Sequence, residues 1–271
     1  MDAAPDTPVA LGLGLLQGVT EFLPVSSSGH LAVCGLLFTL PEMSLSLTVL
    51  LHTGTLLATV AVFRRELGTL TLETLRGLRA PGAFLQTPDG LQLRNLVLAC
   101  APTAAIGLAL ESQMEALTRR PLVVGLGFLA SAALVVSTRG RRGGGGELGA
   151  AAALLVGIAQ GIAVLPGVSR SGITIASAMA LGMDAPAAFR FSFLLSIPVI
   201  AGATLLELGD PQVLASLSAT AWLAAAVTVG VGYASLRLLG GLLRRGHFWL
   251  FAWYLVPLGA AMLLWDVLRP G

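Results

Sequence analysis

Four ionisable side chains lie deep inside apolar stretches of this 271-residue sequence: Glu21, His30, His52 and Arg170. A charge at such depth is expensive in hydrocarbon, and the usual reason for one is function. Three of the four fall in or beside two short polar breaks, PVSSSGH over 24–30 and PGVSRSG over 166–172. Gln17 and Glu21 are four apart, so they share one face of the helix leading into the first break. Ser26, Ser27 and Ser28 open the helix leading out, and His30 follows Ser27 by three residues on the same side. A hydroxyl nucleophile with an imidazole and a carboxylate in reach can attack an electrophile and move protons. Helix capping accounts well for one serine, but poorly for three and not at all for the neighbouring His and Glu.

The second break supplies the complement. Sliding the chain by 143 residues superposes Gly14 on Gly157, Gln17 on Gln160, Gly18 on Gly161, Val25 on Val168, Ser26 on Ser169, Ser28 on Ser171 and Gly29 on Gly172. Arg170 thereby stands at the position of Ser27, and a nucleophile in one half faces a permanent cation in the other. Both outgoing helices aim free backbone N–H groups at the break, which favours an anion, and a guanidinium grips phosphate oxygens in pairs. The expected ligand is a phosphate or diphosphate carried on a lipid, lined by Gln17, Ser26, Ser28, Ser169, Ser171, Gly172 and Thr174. The plainer alternative makes Glu21 and Arg170 a structural ion pair that locks the breaks together.

The elements that position these residues follow from composition. Hydrophobic residues make up 55% and charged residues 11%, with a mean hydropathy of +0.86, against roughly 25% charged in a soluble domain. That excludes soluble, disordered, collagen-like and disulfide-stapled chains and implies an all-α polytopic membrane protein. Cys34 and Cys100 sit in apolar runs and read as small fillers. All 16 basic residues are Arg, and the net charge is +2; no basic patch invites nucleic acid. The N-terminus lacks the basic region of a signal peptide. Residues 45–63, 95–110, 121–137, 187–206, 213–236 and 247–267 are apolar enough for six crossings, with an Arg-containing loop over 64–94. The two broken stretches, 8–40 and 148–183, are expected to be re-entrant hairpins, because a half-segment such as 31–40 rises only about 15 Å.

Each half then holds one hairpin and three crossings: 1–137, a Gly/Arg linker over 138–147, and 148–271. Three is odd, so the second half sits upside down relative to the first, and such inverted repeats place a site at the midplane. Counting arginines gives 12 on one side against Arg119, Arg120 and Arg269 on the other. The positive-inside rule makes the richer side cytoplasmic and puts both termini and the mouth of the first hairpin outside. The same architecture suits a transporter or flippase, but a carrier needs an anion site without a nucleophile.

The stretches QGVTEFLPVSSSGH over 17–30, LPGVSRSGIT over 165–174 and FSFLLSIP over 191–198 resemble the bacterial undecaprenyl-diphosphate phosphatases of the BacA/UppP type, and the resemblance covers essentially the whole chain. It implies hydrolysis of the C55 isoprenoid diphosphate to the monophosphate in the plasma membrane, recycling the carrier for cell-wall synthesis, with bacitracin resistance as a by-product. It implies a divalent cation, Mg²⁺ or Ca²⁺, with Glu21 and Gln17 as candidate ligands, and places the acid/base, nucleophile and phosphate-gripping roles on Glu21, Ser27, His30 and Arg170. Either Ser27 or His30 could form a covalent bond to phosphorus, and a homodimer stays open. Gln17 stands where many members have Glu, and His52 where Gln is expected; His52 reads as a satisfied polar group or an extra proton relay.

Overall fold

The computed structural model describes residues 7–38, 45–80, 85–141, 143–145, 148–211, 213 and 216–269. Among these, every regular element is helical. In chain order they are α1 (Thr7–Thr20), α2 (Ser27–Phe38), α3 (Leu45–Val62), α4 (Arg64–Arg79), α5 (Pro88–Thr118), α6 (Pro121–Val136), α7 (Ala150–Ile162), α8 (Arg170–Ala180), α9 (Ala185–Leu208), α10 (Ala219–Arg244), a 3-10 turn (Phe248–Phe251) and α11 (Ala252–Leu268). Five of these segments are long and apolar enough to cross a membrane: α3, α5, α9, α10 and the turn with α11. The chain is thus a polytopic helical membrane protein.

The helices differ from the hydropathy stretches where polar residues cap or continue them. The crossing expected at 95–110 grows to the 31 residues of α5, because Pro88 starts the helix and Thr87 Oγ1 accepts a hydrogen bond from the Gly90 amide at 3.0 Å. The stretch 213–236 slides toward the C-terminus to become α10, capped by Ser218. The expected crossing at 121–137 is α6, whose 16 residues rise about 24 Å, short of a hydrocarbon core of about 30 Å. Residues 64–94 are not simply a loop: 64–79 form α4, with Leu70 and Glu73 buried and Leu72, Leu75 and Leu78 exposed. An apolar stripe beside arginines suits a helix lying in the membrane interface. Residues 39–40 of the first hairpin, both termini, and Arg142 and Glu147 of the Gly-rich segment lie outside the described residues. Within that segment Gly143 and Gly144 run against the backbone of Gly182 and Met183, with a 3.1 Å hydrogen bond from Gly144 N to Gly182 O.

Four short helices carry the two breaks. α1 and α2 flank the first, α7 and α8 the second, and their starts lie 143 residues apart in both cases. α1 packs on α10, and α7 packs on α5. A β-carbon on Gly14 would run into the backbone of Ala224, and one on Gly157 into that of Ala99, so both approaches need glycine. Each contact carries the same buried hydrogen bond: Thr228 Oγ1 to Gly14 O at 3.0 Å, and Thr103 Oγ1 to Gly157 O at 2.8 Å. α6 packs on α11 through Gly125 and Gly259, where a β-carbon on either would lie 3.0 Å from the carbonyl of the other. Phe22 from the first break meets Phe193 of α9 at 5.9 Å, and Phe193 meets Phe63 and Phe189, so the largest apolar cluster anchors the turn next to Glu21.

Candidate active site

The chain folds back between α1 and α2 over residues 21–26, where Pro24 cannot continue a helix and Ser26 takes φ +68°. Among the described residues Ser26 alone has a positive φ without being glycine, a conformation costing about 1–2 kcal/mol for an L-residue. Its hydroxyl accepts from the Gly29 amide at 3.2 Å and lies 3.3 Å from Ser28 Oγ. Ser169 does the same in the second break, accepting from Gly172 N at 3.1 Å with Ser171 Oγ at 3.3 Å. Ser26 and Ser169 are therefore capping serines, and the amides of Gly29 and Gly172 are spent on them. The first amides of each helix, at Ser27, Ser28, Arg170 and Ser171, have no partner within their own helices.

Ser27 is different. Its Oγ donates to Glu21 Oε2 at 2.6 Å, and Gln17 Nε2 donates to the same oxygen at 3.2 Å. The other carboxylate oxygen takes Arg170 NH2 at 2.5 Å, joining the two breaks across 149 residues of sequence. Both side chains are largely buried, 9% exposed for Glu21 and 16% for Arg170. Arg170 Cζ stands 5.8 Å above the Phe193 ring. Two atoms beside this cluster are buried without a partner among the described residues, Gln17 Oε1 and Arg170 NH1. An orphaned acceptor and an orphaned cationic donor lie beside a hydroxyl already bonded to a carboxylate, and each such atom is costly unless a ligand meets it.

His30 is in the same break but not paired with Ser27. Its Nδ1 donates to the Ser26 carbonyl at 2.7 Å, since a carbonyl can only accept, and its Nε2 is 2.6 Å from the Tyr254 hydroxyl. The two rings lie within 6° of parallel, and Phe128 meets the imidazole edge-on. Of the two expected proton acceptors for Ser27, the geometry brings up Glu21. Thr174 is drawn away from the opening: its hydroxyl donates to the Arg170 carbonyl at 2.7 Å and meets Ser192 Oγ at 2.5 Å, so it holds α8 against α9. His52 lies in α3, where its Nδ1 donates to the Thr48 carbonyl at 2.9 Å.

The sequence pattern of a family described as bacitracin resistance protein BacA matches residues 10–261. The chain belongs to that family. Among its relatives named undecaprenyl-diphosphatase, that of Desulfosudis oleivorans is 42% identical over 272 residues, covering 95% of this chain and 97% of the relative. Those of Korarchaeum cryptofilum and Geobacter metallireducens are 37% and 39% identical, covering 94% and 93% of this chain and 97% and 95% of the relatives.

Three contributors to the site come from elements outside the two breaks, one of them, Ser192, from the FSFLLSIP stretch over 191–198. Tyr254 of α11 holds His30; Ser131 of α6 accepts from Ser169 N at 2.8 Å and donates to Gly167 O at 3.3 Å; Ser192 of α9 meets Thr174. A signal existed for the first. Tyr254 is one of two tyrosines in the sequence and lies within an apolar crossing, where a phenol needs a polar partner.

Proposed function

We propose that this chain hydrolyses undecaprenyl diphosphate to undecaprenyl phosphate and inorganic phosphate at the junction of the two breaks. The observation that carries the mechanism is the hydrogen bond from Ser27 to a carboxylate whose other oxygen is held by Arg170. The terminal phosphate enters between Ser27 and the unpartnered NH1 of Arg170. As the guanidinium turns toward the phosphoryl oxygens it releases Glu21 Oε1, so the carboxylate gains basicity when substrate arrives. Ser27 Oγ attacks the terminal phosphorus and its proton passes to Glu21 Oε2. The bond from phosphorus to the bridging oxygen breaks, and the electron pair leaves on the lipid monophosphate. Water then adds to the phosphoserine, Glu21 returns the proton to Ser27 Oγ, and phosphate departs with the proton left from water. Arg170 and the helix N-termini stabilise charge on the phosphoryl oxygens, the largest contribution in most such reactions. His30, held by Ser26 and Tyr254, carries the proton lost by the attacking water to the departing phosphate.

A divalent cation fits beside Glu21. Gln17 Oε1 is a buried oxygen without a partner, and Mg²⁺ is commonly held by one or two protein oxygens plus substrate phosphates. Among the described residues no three His, Cys, Asp or Glu come together, so Glu21 and Gln17 would be its protein ligands and diphosphate and water the rest. When bound it neutralises phosphoryl charge.

The architecture behind this reading is a pair of inverted repeats with re-entrant hairpins, the mouth of the first opening outward. Equal spacing of the short helices, the matched Thr228–Gly14 and Thr103–Gly157 bonds and the matched serine caps support it. A carrier would use the same repeat and cation, but the Ser27–Glu21 bond would have no task in it. Phosphate release from a polyprenyl diphosphate by purified protein, with Ser27→Ala beside it and with and without chelator, tests the reading. Turnover unchanged in Ser27→Ala would overturn it.

A further inference from the structure

Away from the two breaks, four helices border an open pocket of about 300 Å³, room for roughly ten waters. Its lining is polar and apolar in equal measure: Phe189 is the accessible ring, Phe63, Leu236 and Leu243 lie almost fully buried behind it, and Gly240 lets the Phe189 ring and Arg244 close in to 3.4–3.5 Å of where a β-carbon would stand. Three arginines line it, Arg190 from α9 and Arg237 and Arg244 from α10, against one carboxylate, Glu66. None of the three arginines takes part in any hydrogen bond or ion pair found among the described residues, and the ion pairs there lie elsewhere.

Arginines at helix ends need no ligand, because they mark the basic face of any membrane protein. Two of these three are not at helix ends. Arg190 lies five residues into α9 and Arg237 seven residues before the end of α10, about 8 Å and about 10 Å along their axes. A guanidinium set that far back toward the hydrocarbon is costly unless it reaches water or meets an anion. Here two of them, with Arg244, line one pocket beside the Phe189 ring, all three exposed and so open to an anion from outside.

We propose that this pocket binds the phosphate headgroup of an anionic membrane lipid, with the arginines on its oxygens and the first carbons of its chain against the Phe189 ring. The charge is complementary, the Phe189 ring fits a chain that a free anion lacks, and the place is the basic end of the bundle, where headgroups lie. The site is separate from the Ser27–Glu21–Arg170 cluster, and the inference does not depend on the phosphatase reading.

The test uses the full chain in neutral detergent and reads retained lipid by native mass spectrometry and the shift in Tm. The probes are dioctanoyl phosphatidic acid, dioctanoyl phosphatidylcholine, glycerol 3-phosphate and inorganic phosphate. The wild type should retain phosphatidic acid, gain Tm with it, and respond little to the other three. Removing each arginine should cost about fivefold in affinity, so Arg190→Gln with Arg237→Gln should lose about 25-fold. Arg141→Gln with Arg245→Gln, an equal charge change outside the pocket, should leave binding unchanged. Arg237→Lys, which keeps the charge and guards against misfolding, should retain most of it. Equal losses in the two double variants would reduce the effect to surface charge, and equal protection by glycerol 3-phosphate or phosphate would mean a soluble anion; either overturns the lipid assignment.

Discussion

Replacing Arg170 by lysine keeps the positive charge and removes the fork. Arg170 NH2 now holds Glu21 Oε1 at 2.5 Å while NH1 is buried and unpartnered, so the guanidinium can grip two oxygens, or pass from carboxylate to phosphate without letting go of either at once. An ammonium is a point charge and lacks that planar geometry. The loss is one charge-assisted hydrogen bond in the transition state, roughly 1.5–3 kcal/mol. At about 1.4 kcal/mol per factor of ten, Arg170→Lys should lower kcat by between about ten- and a hundredfold. Arg170→Ala should be worse and should also destabilise the fold, since stripping one partner from a buried pair costs about 3–5 kcal/mol. Phosphate release at saturating lipid diphosphate, on protein shown to be monodisperse with a measured Tm, separates the two effects. Near-wild-type kcat in a well-folded Arg170→Lys would refute the argument, leaving only charge as the contribution of the second break.

Ser27→Ala and Glu21→Gln should each remove most of the activity, and the double variant should be little worse than either, because residues acting as one unit fail together; multiplicative losses in the same assay would separate them. Tyr254→Phe removes only the hydroxyl on His30 Nε2, and at about 0.5–1.5 kcal/mol for a net hydrogen bond should reduce kcat about two- to tenfold and alter its pH profile, whereas a change in Tm alone would make the contact purely structural. Gln17→Glu adds a carboxylate beside Glu21 and should lower the Mg²⁺ or Ca²⁺ concentration giving half-maximal rate after chelator treatment; an unchanged titration would remove position 17 from the cation's ligands. Gly157→Ala forces a methyl group into the Ala99 backbone and should cost about 1–3 kcal/mol, read as a lower Tm, with Gly12→Ala, whose β-carbon meets nothing within 4 Å, as the silent control.

Much of this site is legible in the sequence because it is local. Glu21, Ser26, Ser27 and Ser28 are brought together by a single turn, and the 143-residue repeat leads from Ser27 to Arg170. What is not legible depends on which helices pack together. Nothing in the order of residues says that Tyr254 of the last helix reaches His30 rather than lipid, or that Ser131 accepts from Ser169. His30 stands three residues from Ser27, yet its imidazole folds back on the carbonyl of Ser26, which accepts from both its Nδ1 and its amide. Helix α4 was hidden for another reason: its arginines and low hydropathy mask a run of leucines at helical spacing, a pattern that a search for spans passes over.

The ion pair between Glu21 and Arg170 has a consequence for how such a chain can be built. Two copies of the first break would face each other with two hydroxyls, two carboxylates and no cation. Two copies of the second would present two guanidinium groups and no carboxylate to take a proton from a hydroxyl. Only an unlike pair makes a working centre, and separate proteins would find the unlike pairing only part of the time. Carrying both breaks on one polypeptide fixes their ratio at one to one in every molecule, so that under the proposed mechanism half a chain, however well folded, would be chemically inert.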